Sequence, residues 1–198
     1  MTTIQYCFTP VSPWTYLGHA RFVQIAEAAG ATVEVMPVDY GVIFPASGGL
    51  PLPKRAPQRQ AYRLVELRRF SQHLGVPLNL QPAHFPVDGR PASLLIICTA
   101  SQAGTPAALA LSGALLRAVW AEERNIADAD TLAGTLAECG LDAGLLEMSR
   151  EPAVALQYES HTQRALDAGV FGAPSYVVDG EIFWGQDRLD LLQQKLGV

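Results

Sequence analysis

The sequence contains little cysteine, and its cysteines are widely separated. Only Cys7, Cys98 and Cys139 occur in 198 residues, and no two of them stand in a Cys-x-x-Cys spacing. A local dithiol redox centre and a local zinc knuckle are therefore excluded. A reactive thiol needs an exposed, electropositive setting, which the sequence gives to none of the three. We therefore expect structural cysteines, with Cys7 in a strand and Cys98 in an apolar helix.

Long apolar runs and an excess of basic residues are also missing. The longest apolar runs, such as residues 94–98, are far shorter than the roughly 20 residues that span a bilayer. Residues 1–7 have neither the basic nor the apolar region of a signal peptide, so we expect a cytoplasmic protein that does not bind membranes. The net charge of −5 argues against general nucleic-acid binding.

What is present is the composition of a folded domain with one basic segment. Hydrophobic residues make up 49% and charged residues 17% of a chain whose length suits one domain, with or without an insertion. The basic segment spans residues 54–69, where only Glu66 opposes six cations. A solvated helix face and an attractor for a small anionic ligand are both compatible with such a run. Its cations are Lys54, Arg55, Arg59, Arg63, Arg68 and Arg69.

The chain begins and ends with β structure. Residues 4–8 and 32–38 are predicted strands on either side of a helix that starts at Pro13 and ends near Gly30, which favours a right-handed parallel pair. Residues 175–178 and 181–184 are predicted to form a hairpin around Asp179-Gly180, followed by a helix over 186–196. We predict a loop over 41–57, where Gly, Pro and Ser accumulate.

The middle of the chain is predicted to be helical throughout. Apolar residues recur at helical spacing over 61–70, 94–103 and 109–120, and further helices are predicted over 130–139, 142–149 and 152–168. The outline is therefore an α/β domain formed by residues 1–45 and 151–198, interrupted by a helical block over residues 46–150.

Three motifs in this outline could carry chemistry. Ser12 stands between the first strand and the first helix, where its hydroxyl either caps the helix or faces a ligand beside the helix dipole. Pro174 enters a late strand after a small residue, a setting that suits a cis peptide in a tight turn. Asp187 and Arg188 open the last helix, either as capping residues or as a charge pair for a zwitterionic ligand.

Together these motifs resemble one known family. The segments 12–17 (Ser-Pro-Trp-Thr-Tyr-Leu), 170–174 (Val-Phe-Gly-Ala-Pro) and 180–188 (Gly-Glu-Ile-Phe-Trp-Gly-Gln-Asp-Arg) are similar to those of 2-hydroxychromene-2-carboxylate isomerases, relatives of kappa-class glutathione transferases and DsbA-like proteins. The resemblance covers essentially the whole chain. It implies a thioredoxin-like domain with an all-helical insertion, glutathione as cofactor, no metal, and a homodimer.

The resemblance also implies roles for individual residues. Ser12 and Thr15 take the places of the redox cysteine pair, and Ser12 becomes the catalytic donor to the glutathione sulfur. The 170–174 segment pairs its main chain with the cysteinyl unit of glutathione, Asp187 and Gln186 hold the γ-glutamyl group with Arg188 assisting, and the substrate side of the site takes one aromatic and two basic residues. The residues so assigned are Val170, Phe171, Ala173, Pro174, Gln186, Asp187 and Arg188 for glutathione and Trp14, Lys54 and Arg55 for substrate.

In the reaction that the resemblance implies, glutathione thiolate adds to an unsaturated 2-oxo acid, the former double bond rotates, and elimination gives the isomer. Two alternatives stay open: a kappa-like glutathione transferase and a redox-inactive thioredoxin-fold binding protein. His19, in the middle of the first helix, is more typical of packing or of a surface position than of catalysis. The chain departs from the common family pattern at Thr9 and over residues 47–49.

Overall fold

Four strands form the sheet in this computed structural model, which describes residues 2–198. They are β1 (Thr3–Phe8), β2 (Thr32–Pro37), β3 (Ser175–Val178) and β4 (Glu181–Trp184). The strand order is β2-β1-β3-β4, in which β1 and β2 are parallel and the other two pairs are antiparallel. The predicted parallel β-α-β opening and the late hairpin are both confirmed.

Helices surround this sheet and fill the chain between β2 and β3. They are α1 (Pro13–Ala28), α2 (Tyr40–Ser47), α3 (Pro57–Leu74), α4 (Arg90–Ala103), α5 (Thr105–Trp120), α6 (Ala129–Glu138), α7 (Gly144–Met148), α8 (Pro152–Asp167) and α9 (Leu189–Leu196). Short 3₁₀ turns occupy Leu52–Lys54 and Gln186–Arg188, so the last predicted helix is divided into a turn and α9. Within residues 2–198 no helix is long and apolar enough to cross a membrane.

Alternation along β1 buries both faces of the sheet. Ile4, Tyr6 and Phe8 belong to the larger core cluster, while Cys7 packs in a second cluster on the opposite face. A strand alternates its side chains with a period of two residues, so one strand can join two cores. The ring of Tyr6 lies 4.4 Å from that of Phe22 in α1, which ties the helix to the sheet.

The helical block shares the larger core with the sheet, and a buried histidine connects the two parts. His19 in α1 has its Nδ1 3.0 Å from the Tyr6 hydroxyl and its Nε2 3.0 Å from the Leu109 carbonyl oxygen of α5. Because a carbonyl only accepts, Nε2 donates to Leu109 and Nδ1 accepts from Tyr6. Burial lowers the pKa of His19 to about 4. The interpretation of His19 as a packing residue is confirmed.

The predicted loop over 41–57 is wrong in its first half, where the structure has α2. Asp39 caps this helix by accepting a hydrogen bond from the Gly41 N–H at 2.7 Å. Tyr40 and Ile43, which belong to the helix, are buried. Gly48 ends the helix with a positive φ of 74°, a conformation that suits glycine. Capping and burial thus outweigh the loss of one helical N–H at Pro45.

Candidate active site

A cavity of about 890 Å³ lies beside the N-terminus of α1. Its walls come from the start of α1, the 48–53 segment, α3, the 85–90 segment and residues 171–173 before β3. The volume lies within the range of small-molecule sites. The cavity also touches the carboxyl ends of β1 and β2, where ligands of open α/β sheets bind. It is therefore the candidate active site.

Ser12 caps α1 and also lines the cavity, so the cap is compatible with the predicted ligand contact, which stays a prediction. Its Oγ accepts a hydrogen bond from the Thr15 N–H at 3.2 Å, and Pro13 occupies the first turn. The side chain is buried to 7% exposure. This cap uses an oxygen lone pair and leaves the hydroxyl proton available for donation.

The first turn of α1 favours an anion next to Ser12. The helix is 16 residues long and has no acidic residue in its first turn. The N-terminal N–H groups and the helix dipole therefore present partial positive charge that no side chain of that turn neutralises. A sulfur beside the Ser12 hydroxyl would be held more favourably as thiolate than as thiol.

Thiol chemistry from the protein itself is missing at this cavity. Thr15, in the place of a second redox cysteine, is fully buried, and its Oγ1 has no hydrogen-bond partner among the described residues. None of the three cysteines lines the cavity, and burial raises the pKa of each thiol, to about 12 for Cys7. Their predicted structural role agrees with this placement.

Residues 171–173 form one wall of the cavity. Phe171, Gly172 and Ala173 line it, the Ala173–Pro174 peptide is cis, and Val170 is buried in the second core cluster. Within residues 2–198 neither the N–H nor the carbonyl of Ala173 has a main-chain partner. An extended peptide ligand could therefore pair with Ala173.

The turn before β3 is held rigidly around Gly172. The Tyr40 hydroxyl donates to the Gly172 carbonyl at 2.8 Å, and the Ser175 hydroxyl donates to it at 2.7 Å. A Cβ at Gly172 would lie 2.3 Å from Nε1 of Trp184, so glycine is required for this close approach. Trp184 in turn packs edge-on against Phe171, with ring centroids 4.9 Å apart. These contacts fix the wall that carries Ala173.

Trp184 of the C-terminal motif lines the cavity, whereas Gln186, Asp187 and Arg188 lie next to this wall but outside the lining. The Gly185 N–H donates to the Pro174 carbonyl at 2.8 Å, which places the 186–188 turn beside the cis peptide. Gln186 is buried against Gly18 of α1, and its Nε2 has no partner among the described residues. Asp187 and Arg188 are exposed and form an ion pair with each other. The γ-glutamyl role of these three residues stays a prediction.

Only two of the three predicted substrate residues lie at the cavity. Trp14 and Arg55 line the cavity, whereas Lys54 does not. Arg55 donates from Nε to the Leu50 carbonyl at 2.7 Å and lies over the Phe44 ring at 5.8 Å. Trp14 contacts Phe70 of α3 edge-on at 6.0 Å.

The cavity contains more positive charge than the motifs alone indicated. Four arginines line it, together with two carboxylates that already accept backbone hydrogen bonds from Gly41 and Arg90. Within residues 2–198 none of the four guanidinium groups lies within 4.0 Å of a carboxylate. The cavity therefore attracts anions although the chain is acidic overall. The arginines are Arg55, Arg59, Arg63 and Arg90, and the carboxylates are Asp39 and Asp88.

Some of these residues had a signal in the sequence and others had none. Arg59 and Arg63 belong to the basic segment and line the cavity with Arg55, whereas Lys54, Arg68 and Arg69 lie outside it. The interpretation of this segment as an anion attractor stays a prediction. Arg90 lies over the ring of Tyr158 at 5.3 Å, and only the tertiary fold brings this pair to the cavity. Thr9 and Gly48–Gly49, where the chain departs from the family pattern, also line it. Among the described residues no cluster of His, Cys, Asp and Glu could hold a metal ion.

Comparison with known proteins agrees with this geometry. Residues 3–197 match the family model of the DSBA-like thioredoxin domain. The 2-hydroxychromene-2-carboxylate isomerase of Sphingobium xenophagum is 32% identical over 197 residues, which cover 98% of this chain and 97% of that enzyme. A solved structure of 2-hydroxychromene-2-carboxylate isomerase has a TM-score of 0.83 at 26% identity, covering 98% of this chain and 94% of that one.

A more distant structure shares the fold alone. The cytosolic disulfide reductase DsbM from Pseudomonas aeruginosa, solved with GSH, has a TM-score of 0.70 at 19% identity and covers 99% of this chain and 100% of its own. The isomerases, in contrast, match in sequence along the full length. The chain belongs to the 2-hydroxychromene-2-carboxylate isomerase family, within the DSBA-like thioredoxin domains.

Proposed function

We propose that this protein is a glutathione-dependent isomerase of the 2-hydroxychromene-2-carboxylate type, which interconverts cis and trans forms of an aromatic-derived unsaturated 2-oxo acid. The observation that carries the proposal is the position of Ser12. Its hydroxyl faces a cation-lined cavity from the N-terminus of α1, at the place where a redox relative has its reactive cysteine. The isomerases among the full-length relatives support the same reaction class.

Three features of the cavity fit glutathione. The Ser12 hydroxyl has a proton to donate to a sulfur, Ala173 has free main-chain groups for a peptide, and the arginines suit carboxylates. GSH in the related DsbM structure supports this choice of thiol. Bound glutathione would supply a thiolate that adds reversibly to the substrate's double bond and so permits rotation about it.

Ser12 would stabilise the anionic form of that sulfur. A hydrogen bond to a charged group contributes about 1.5–3 kcal/mol, and a helix N-terminus contributes about 0.3–1 kcal/mol. Together they lower a thiol pKa of about 8.5 to about 6 or 7, at about 1.4 kcal/mol per pKa unit. The thiolate would then predominate near neutral pH.

The remaining residues would orient the cofactor. Ala173 would pair its main chain with the cysteinyl unit of glutathione, next to Phe171 and the cis Pro174, and Val170 would support this wall from the core. Gln186 and Asp187 would hold the γ-glutamyl group, with Arg188 beside them. Trp14 would contact the substrate ring.

Calorimetric titration with reduced glutathione tests the site. We expect saturable binding to the wild type and at least about tenfold weaker binding to Ser12→Ala, because a charge-assisted hydrogen bond is lost. Asp128→Ala is the matched control, since Asp128 caps α6 by accepting from the Asp130 N–H at 3.3 Å and lies outside the cavity. Both variants lose a cap worth about 1 kcal/mol, but only the Ser12 variant should lose glutathione.

Turnover then separates the candidate enzymes. We expect absorbance changes of 2-hydroxychromene-2-carboxylate to reach equilibrium with glutathione far below substrate concentration and with all glutathione recovered. Stoichiometric loss of glutathione would instead identify a glutathione transferase. Absence of glutathione binding, with and without 2-hydroxychromene-2-carboxylate present, would refute both enzymes and leave a redox-inactive binding protein.

A further inference from the structure

A row of three arginines lies along the cavity at the start of α3. Arg55 precedes the helix and Arg59 and Arg63 lie within it; all three line the cavity, whereas Arg68, further along the helix, does not. Arg59 and Arg63 are four residues apart and share a helix face, where like charges destabilise the helix. This pair therefore has a cost in stability that binding of an anion would offset.

Arg63 is the member of this row that lies against two aromatic rings. Its Cζ lies 5.6 Å from the centroid of the Phe85 ring and 5.8 Å from that of the Trp120 ring. Trp120 is fully buried, and Phe85 lines the cavity. The guanidinium is thus fixed against the core by two aromatic side chains. A guanidinium positioned in this way can bind a carboxylate through two parallel hydrogen bonds without further ordering.

This guanidinium has no negatively charged partner in the described chain. No carboxylate lies within 4.0 Å of it, and burial together with the positive charge of Arg55 lowers the pKa of Arg63 to about 10. Arg90 stands two residues after Asp88, whose carboxylate accepts a hydrogen bond from the Arg90 N–H at 2.9 Å. The cavity is therefore most strongly cationic along α3.

We propose that Arg63 binds the carboxylate of the substrate and selects aromatic 2-oxo acids over neutral aromatic compounds. The inference rests on the proposed function and assigns the substrate side of the same cavity. Phe85 lies beside the guanidinium at the cavity surface, so an aromatic ring joined to a carboxylate would meet an aromatic surface and a bidentate donor together. Arg59 and Arg55, further along the row, remain for a second carboxylate such as that of glutathione.

Two unreactive ligands separate recognition of the carboxylate from recognition of the ring. Chromone-2-carboxylate has both groups, and chromone has the ring alone. We expect Arg63→Gln to weaken chromone-2-carboxylate binding about 10- to 100-fold in calorimetry, because charge-assisted hydrogen bonds are lost. Chromone affinity and glutathione affinity should stay unchanged. Arg63→Lys should fall between the wild type and Arg63→Gln, because it keeps the charge but not the bidentate geometry.

Arg68→Gln is the matched control, since it removes the same charge from an exposed position of the same helix outside the cavity. It should bind both ligands like the wild type. In the isomerase assay Arg63→Gln should raise KM more than it lowers kcat. Its thermal midpoint should be equal to or above that of the wild type, because an unpaired, half-buried cation has been removed.

Unchanged chromone-2-carboxylate affinity in Arg63→Gln would overturn the proposal. An equal loss of chromone and chromone-2-carboxylate binding, or a lowered thermal midpoint without the selective loss, would also overturn it, because Arg63 would then be a packing residue. Each ligand is titrated with and without glutathione. A protein that fails to bind glutathione but binds chromone-2-carboxylate through Arg63 would refute the proposed function and retain this inference.

Discussion

A shift from pH 7.5 to pH 5.0 protonates His19 in the unfolded chain but leaves it neutral in the folded protein. His19 is buried, and its Nδ1 accepts a hydrogen bond from the Tyr6 hydroxyl, which requires the neutral ring. Burial lowers its pKa from 6.5 to about 4. The folded pKa lies below the unfolded one, so the stability from His19 is complete above about pH 6.5 and is lost as the pH falls toward 4.

The magnitude follows from the two pKa values. The full difference of about 2.5 units corresponds to about 3.4 kcal/mol. At pH 5.0 the unfolded chain has taken up most of its proton and the folded protein very little, so about 2 kcal/mol of unfolding free energy is lost relative to pH 7.5. His161 is also buried, and burial lowers its pKa as well, so it adds a loss of the same sign.

Urea unfolding followed by tryptophan fluorescence measures this loss at pH 7.5, 6.5, 5.5 and 5.0. His19→Gln is the test variant, because its amide can still donate toward the Leu109 carbonyl but does not titrate. We expect it to be less stable than the wild type at pH 7.5 and to lose about 2 kcal/mol less between pH 7.5 and 5.0. Equal pH dependence in the two proteins would refute the argument. His161→Gln then measures the second histidine.

Two further predictions concern the wall that carries Ala173. Gly172→Ala should weaken glutathione binding at least about tenfold in calorimetry, because its Cβ would collide with the Trp184 indole, which must move. Unchanged affinity would show that this wall does not contact glutathione. Tyr40→Phe should cost about 1–2 kcal/mol in urea unfolding, because it removes the hydrogen bond to the Gly172 carbonyl and leaves only that from Ser175. A cost near zero would indicate that Ser175 alone satisfies the carbonyl.

Local signals in the sequence were sufficient for most of the fold. Alternation, Asp179-Gly180 and the proline at the start of α1 predict the strands, the hairpin and the first helix from neighbouring residues alone. The sequence does not predict α2, because Gly, Pro and Ser over residues 41–57 are typical of a loop. The stability of α2 comes from the burial of Tyr40 and Ile43 against residues distant in sequence. Homodimer formation and a cytoplasmic location stay predictions.

Some residues of the candidate site could likewise be predicted from local sequence, and others could not. Ser12 and the 171–173 segment could be predicted because they stand at junctions of strands with helices or turns. Arg63 could be placed on a basic helix, but not in the cavity, because its position depends on Trp120 from another helix. Arg90 and Tyr158 had no local signal, since 67 residues separate them in the chain. Their meeting is a property of the tertiary fold alone.

The positions of Ser12 and Thr15 explain how a thioredoxin-like site can act without its own thiol. Thr15 has a hydroxyl and no thiol, so even a cysteine at position 12 would lack a neighbouring partner for a disulfide. The N-terminus of α1 nevertheless keeps the field that lowers a thiol pKa in redox proteins. In the proposed function, a hydroxyl at position 12 would direct that field to a sulfur brought by a ligand, and the arginines of α3 would attract its carboxylates. Under the proposed function, the protein therefore keeps the groups that stabilise a thiolate, while the thiol belongs to a ligand that can dissociate.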